Sequence, residues 1–445
     1  MVLRKRVWLI LLFVLLVLAA AQCSPPAAPV TVVETVVVKE TVEVEKEAAA
    51  KVTITLAYNR FLNSSFGPGP APIDAIKQVV AEKYPHLDIQ LNMMPDSVNQ
   101  MHDALAVWMT AEDPTVDVYG MDTPWVLEFG KAGWALPLND HLPMLEEKFI
   151  TSGLDIFSYE GQRLGIPFWG SSSGLFYRTD LLEEYGFEPP QTYDEMVEII
   201  ETIQADRPEL TGLAWPGARE ESLVKFWADT LYGFGGQYFD EAGQCAFNSP
   251  EGLAAVEFMV ESVNSGQSAP ETTAWKSEEA RTRFVEGNSI FLWHNHDLVT
   301  WLDDPERSAV AGKWGFMSSP AQPNGQSVSL TGGFAFAVNP HTDNLEEALQ
   351  VMELIGSEDI QKAFAIAWGP VQYYQGLYED PAVLAANQNV DRISVVLDRA
   401  LNRPPSTNYA ELSSIVQEEL HSALTGIKPA QQAMDDACAR VELID

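Results

Sequence analysis

The chain has 445 residues, 46% of them hydrophobic and 20% charged, with a formal net charge of −36. That length exceeds what a single hydrophobic core serves, so two lobes or domains are expected. The acidic balance excludes nucleic acid, which needs a basic face, and disfavours lasting contact of the globule with an anionic membrane; solubility accounts for it.

At the N-terminus Arg4, Lys5 and Arg6 precede the uncharged run VWLILLFVLLVLAAA. This is a basic region followed by an apolar stretch too short for a membrane span, so residues 1–22 read as an export signal. Two processing readings stand. Ala19 and Ala21 offer a cleavage site, whereas AAAQC resembles a lipobox in which Cys23 is lipidated, with Gln22 where a small residue is usual. The Pro-rich start of residues 23–50 favours lipidation, because that low-complexity run of Val, Thr and Glu reads as a flexible tether. An exported protein, cell-surface or periplasmic and anchored through its lipid, is expected. Cys245 and Cys438 belong to no C-x-x-C pattern; one disulfide and a pair of buried thiols are both open.

Beyond the tether, KVTITLAY alternates Val52, Ile54, Leu56 and Tyr58 on one face, the period of a half-buried strand. Ile73, Ile76, Val80 and Tyr84 recur at helical spacing until Pro85. HLDIQLNMM is a second strand, a helix follows from Ser97 to Ala111, and VDVYGMD is a third strand. This order predicts a parallel α/β sheet, whose ligands sit beyond the carboxyl ends of the strands. Tyr58, Asn59 and Asp122 lie at such ends.

QRLGIPFWG is then bent at Pro167, and SSGLFYR is strand-like. TDLLEEYG reads as a short helix capped by its Thr and Asp and stopped at Gly186, and Thr192-x-x-Glu195 is a capping box ahead of Met196, Val197, Ile199, Ile200 and Ile203. The irregular stretch from Gly161 to Met196 is a hinge candidate between two structural units.

At these residues the chain resembles the substrate-binding proteins of bacterial ABC importers, in the sugar-binding group related to maltose and trehalose binders. The matching positions are Gly161, Gly165 and Pro167, then Tyr177, Asp180 and Leu181, then Gly186, Pro189, Pro190, Thr192, Tyr193, Asp194 and Glu195. Arg178 and Tyr193 stand where that family has Asn and Trp. The likeness continues through 235–266, 303–340, 346–372 and 408–434, so that it covers Lys51 to Val441. It implies an α/β, two-lobed periplasmic-binding-protein fold of type II, each lobe a mixed, mostly parallel sheet flanked by helices. Three crossings are expected near 165–168, 315–319 and 370–375. Lobe 1 would comprise 51–166 and 318–372, and lobe 2 would comprise 167–317 and 373–445. The implied partners are a small-molecule sugar that closes the lobes, the permease subunits that receive it, and the membrane through the lipid anchor, with the protein acting as a monomer.

A sugar presents apolar C–H faces and an edge of hydroxyls, so its site wants aromatic platforms beside carboxylates, amides or guanidinium groups. Of twelve tryptophans, Trp169, Trp215, Trp293 and Trp368 fall in loop-like positions and are candidate platforms, each with a core role as its alternative; Trp108 and Trp227 read as helix core. Asp122 matches a family carboxylate and alternatively caps the next helix. Gly332 and Gly333, before Phe334, match a pair that admits sugar close to the backbone, or mark a turn needing positive φ. Glu221 matches a family Glu in a pattern where Trp215, Gly217 and Leu223 survive while Pro216, Glu220 and Ser222 depart. In HNHDL only Asn295 is kept, and an arginine and two aromatics are lost. His294 and His296 either hydrogen-bond hydroxyls or, with Asp297, suggest a metal; a lone His-x-His favours the former.

No G-x-S-x-G, H-E-x-x-H or Walker motif occurs, and no cofactor or metal is called for. The resemblance implies a non-enzymatic sugar binder. The rivals are a binder of a polyol, sugar phosphate or peptide, and a secreted glycoside hydrolase, for which no element fixes a carboxylate pair.

Overall fold

The computed structural model describes residues 51–444 apart from 66, 68, 370–372, 388–395, 397–398 and 405. The export signal, Cys23 and the tether lie outside the described residues, as does the first half of the expected third crossing, 370–372.

The strands are β1 (Val52–Tyr58), β2 (Leu87–Met93), β3 (Val118–Asp122), β4 (Ser158–Tyr159), β5 (Gln162–Arg163), β6 (Ile166–Arg178), β7 (Thr211–Ala214), β8 (Ser289–Asn295), β9 (Trp314–Met317), β10 (Ser329–Val338) and β11 (Ala400–Asn402). They form a sheet in the order β2-β1-β3-β10-β6-β8-β7, with β9 also on β6 and β11 also on β10, and a separate β4–β5 hairpin. β1 pairs parallel with both β2 and β3, as the alternation of strands and helices predicts. β10 runs antiparallel to β3 and β6, so the sheet is mixed.

Two strands carry the chain between hydrophobic cores. The first half of β6 pairs with β10, and its second half pairs with β8 and β9. Phe168 packs in a first core with Leu56, Met121, Phe336 and Phe364, whereas Leu175 packs in a second with Ile200, Trp227, Val416 and Leu420. β10 crosses back, with Leu330 in the second core and Phe334 in the first. Along the second half of β6 the pleat sends Leu175 to the second core and Phe176 to a third, built with Phe284, Leu292 and Trp314. A strand buried on both faces reads as a continuous apolar run, which explains GLFY in place of alternation.

The crossings fall later than expected. The one placed at 315–319 lies at 331–333, because β9 pairs with the second half of β6 and keeps that segment beside the second core. Likewise the first lies between Phe168 and Leu175, and Tyr374, Leu377 and Val383 still pack in the first core.

The local punctuation has identifiable causes. Helix Tyr193–Asp206 carries the capping box, Thr192 Oγ1 accepting from Glu195 N–H while Glu195 accepts from the Thr192 N–H. Gly186 ends helix Thr179–Tyr185 at φ 75°, a left-handed cap. The expected Thr and Asp cap of that helix does not form, since Asp180 takes the Arg178 guanidinium at 2.7 Å. Cys245 and Cys438 form a disulfide with Cα atoms 5.5 Å apart, joining the loop after Phe239 to helix Ala430–Val441. Among the described residues no helix is long and apolar enough to cross a membrane.

Candidate functional site

The site lies where β6 and β10 cross side by side. Trp169, Gly170, Ser171 and Ser172 pair with Phe334, Gly333, Gly332 and Thr331. Gly332 and Gly333 are extended rather than left-handed, which removes the turn alternative. They are glycines because of close approach: a Cβ on Gly333 would meet the Trp169 carbonyl oxygen at 2.5 Å, and one on Gly332 would meet Arg403 Nη2 at 3.0 Å.

Arg403 organises the polar side of this crossing. Its Nη2 donates to Asp122 Oδ1 at 2.9 Å and its Nη1 to Glu221 Oε1 at 2.9 Å, with all three side chains largely buried. Asp122 ends β3 beside the first core and Glu221 opens helix Glu221–Gly233 beside the second, so one guanidinium bridges groups from both. Tyr409 Oη at 2.7 Å and Ser413 Oγ also donate to Glu221. Burial pushes the Asp122 carboxyl pKa up while Arg403 draws it back down. Lys225, from the same helix, donates to Asn295 Oδ1 at 2.6 Å; burial and the Arg403 charge lower its pKa to about 8.

A second carboxylate anchors the wall beneath. Asp229 is fully buried and accepts from Ser173 Oγ, Trp293 Nε1 and Ser319 Oγ, and from the Leu330 N–H. It therefore ties a helix to β6, β8 and β10 at the crossing, as a buried charge must be tied. On the neighbouring strand end the Ser172 N–H donates to His296 Nδ1 at 2.9 Å, which places the ring proton on Nε2 and makes the 3.3 Å approach to the Ser172 carbonyl a contact without a bond. Burial lowers the His296 pKa to about 4. Among the described residues no group of three potential metal ligands is found.

The expected site residues separate into two groups. Tyr58, Asp122, Trp169, Glu221, Gly332, Gly333 and Phe334 come together at the crossing. Trp169 is half-buried and stacks on Phe334 with centroids 5.9 Å apart, and Tyr58 packs edge-on against Phe334 at 5.3 Å. Asn295 joins through Lys225, and His296 through Ser172. Asn59 borders the group as the cap of the turn Arg60–Asn63, accepting from the Phe61 N–H.

Trp215, Trp293 and Trp368, expected as exposed platforms, are instead buried among the hydrophobic cores. Trp215 stacks on Phe226 and donates to Ser268; Trp293 donates to Asp229; Trp368 stacks on Phe364 and donates to the Ser64 carbonyl. A loop-like position did not mean exposure, because each indole N–H finds an acceptor within the protein. Trp227 is core as expected, whereas Trp108 only packs partly against the first core. Sequence reasoning missed Arg403, which reaches Asp122 across 281 positions, and Asp229, whose only signal is a carboxylate inside the apolar helix segment KFWADTL.

Two α/β cores joined by paired strands, with an aromatic step and a charged cluster at the junction, define a two-lobed binding protein. The chain belongs to a family described as bacterial extracellular solute-binding proteins, whose model matches residues 69–362. It is thus an extracellular solute-binding protein of the kind that serves ABC transporters. A probable ABC transporter-binding protein of Deinococcus radiodurans is 27% identical over 351 residues, covering 75% of this chain and 81% of that one. The maltotriose-binding protein of Pyrococcus abyssi is 26% identical over 192 residues, covering 42% and 39% respectively. Maltose-bound MalE3 of T. maritima superposes with a TM-score of 0.81 at 27% identity, over 88% of this chain and 100% of its own. The fold is accordingly the type II periplasmic-binding-protein fold.

Proposed function

We propose that the chain captures a sugar, a mono- or oligosaccharide, by closing its lobes on the crevice at the β6–β10 crossing, and delivers it to a membrane permease. The observation that carries this reading is the half-buried Trp169, stacked on the buried Phe334, beside the Asp122–Arg403–Glu221 cluster. The step offers an apolar face to sugar C–H groups and the cluster offers acceptors and donors to hydroxyls. Ser172 Oγ and Arg403 Nε, both buried there, have no partner among the described residues, and a hydroxyl can accept from one and exchange a hydrogen bond with the other. Similarity to sugar binders at about a quarter identity supports the class of solute.

The lobes of this reading meet at 169–174 and 331–333, where the hinge lies. The protein acts as a monomer, anchored through a lipid on Cys23. Its role is capture without catalysis. The test is a titration of tryptophan fluorescence against mono- and disaccharides. A saturable change is expected, and Trp169→Ala weakens the responding sugar about tenfold, as the loss of a stacking face does. Silence across the panel removes the sugar, and cleavage of an oligosaccharide on incubation removes the non-catalytic role. Membrane-bound protein that a Cys23→Ala substitution releases supports the anchor; a soluble wild type removes it.

A further inference from the structure

We propose that the solute is an acidic saccharide, its carboxylate or phosphate held at the mouth of the crevice by Arg60, Arg281 and Arg307. This rests on the sugar reading and narrows it. A cavity of ≈ 460 Å³ is lined by these three arginines with Phe61, Glu278 and Trp301. One wall follows directly from the candidate site, since Asn59 caps the turn that begins with Arg60. The facing wall comes from helix Ser277–Val285 and from the segment after the turn His296–Thr300, which continues β8 beyond Asn295. The cavity thus has the two-sided construction of the crevice.

Its chemistry is that of an anion receptor. Guanidinium groups donate and never accept, so a wall of three suits an acceptor-only group better than a neutral hydroxyl, which needs both. The Trp301 ring holds two of them, with Arg307 Cζ 4.4 Å and Arg281 Cζ 5.6 Å from its centroid. Stacking occupies guanidinium faces and directs the N–H groups along their edges. The one carboxylate in the lining, Glu278, lies 2.8 Å from Arg281 and 3.5 Å from Arg60, and so marks where an anion bridges the two walls. Its side chain is 53% exposed, and exposed pairs of this kind contribute little, so a ligand anion can replace it. Arg60 also pairs with Asp96 at 3.2 Å, which steadies it without removing its charge. The chain's net charge of −36 repels anions at a distance, but screening over about 8 Å leaves the decision to local groups.

The experiment titrates the intact mature protein with digalacturonate and glucose 6-phosphate and with their neutral counterparts, digalactose and glucose. At least one acidic ligand is expected to bind about tenfold or more tightly than its neutral counterpart, by an amount that shrinks as salt is raised. The two acidic ligands distinguish a carboxylate from a phosphate. Arg281→Gln and Arg307→Gln each erase most of the preference, weakening acidic binding more than neutral binding. Glu278→Gln removes the competing carboxylate and tightens acidic binding, whereas a merely structural Glu278 would weaken it. Neutral sugars bound as tightly as acidic ones overturn the inference and leave the sugar reading standing. Acidic binding indifferent to both arginine substitutions overturns it as well, and no binding in any arm removes both.

Discussion

Arg403 holds two carboxylates that belong to different cores, and its side chain is only 6% exposed. Removing one partner of a buried ion bridge leaves uncompensated charge and costs about 3–5 kcal/mol. Arg403→Met is therefore expected to lower the free energy of urea unfolding by that amount, and adding Asp122→Asn recovers part of it, because the two changes share one interaction. His296 sets a second expectation. Its folded pKa of about 4 lies below the ordinary 6.5, since burial disfavours the imidazolium. Between those values the unfolded chain binds a proton that the folded chain does not. The stability it contributes is complete above about pH 6.5 and is lost as pH falls toward 4, amounting to roughly 3 kcal/mol. Unfolding followed across that range should show the slope in the wild type and a flatter one in His296→Gln, which keeps an acceptor but does not titrate.

β6 and β10 form a two-stranded link whose closest point is Gly333 against the Trp169 carbonyl. Gly333→Ala must push the strands apart, and overpacking of this kind costs about 1–3 kcal/mol. The melting temperature should fall and the Trp169 emission shift; an unchanged spectrum would mean that the crossing yields without opening. Loss of the Thr192 cap is milder, and Thr192→Ala should cost about 1 kcal/mol in the same unfolding measurement. Elements with local rules were legible before the structure: β1 and β2 through their alternation, and helix Tyr193–Asp206 through its capping box. The β6–β10 pairing was not, because Ser172 and Thr331 are brought together by the sheet and no periodicity encodes the partner of a strand buried on both faces. Burial of Trp215 and Trp293 escaped for a related reason, as their acceptors, Ser268 and Asp229, lie on other elements.

At the scale of the whole molecule, the disulfide closes a separation of 193 residues within the second core. Such a link restricts the unfolded chain and contributes about 2–5 kcal/mol, so the Cys245→Ser, Cys438→Ser pair should melt lower than the wild type under oxidising conditions and alike under reducing ones. The loss should be felt first at helix Ala430–Val441, where limited proteolysis would cut. That helix packs in the second core with residues of β6, β7 and β8, the earliest of them more than half the chain upstream. The core is therefore complete only when helix Ala430–Val441 is in place. Closure over so long a loop is slow, so a chain lacking helix Ala430–Val441 is expected to stay loose, and the Cys245–Cys438 bond to form only once that helix has docked.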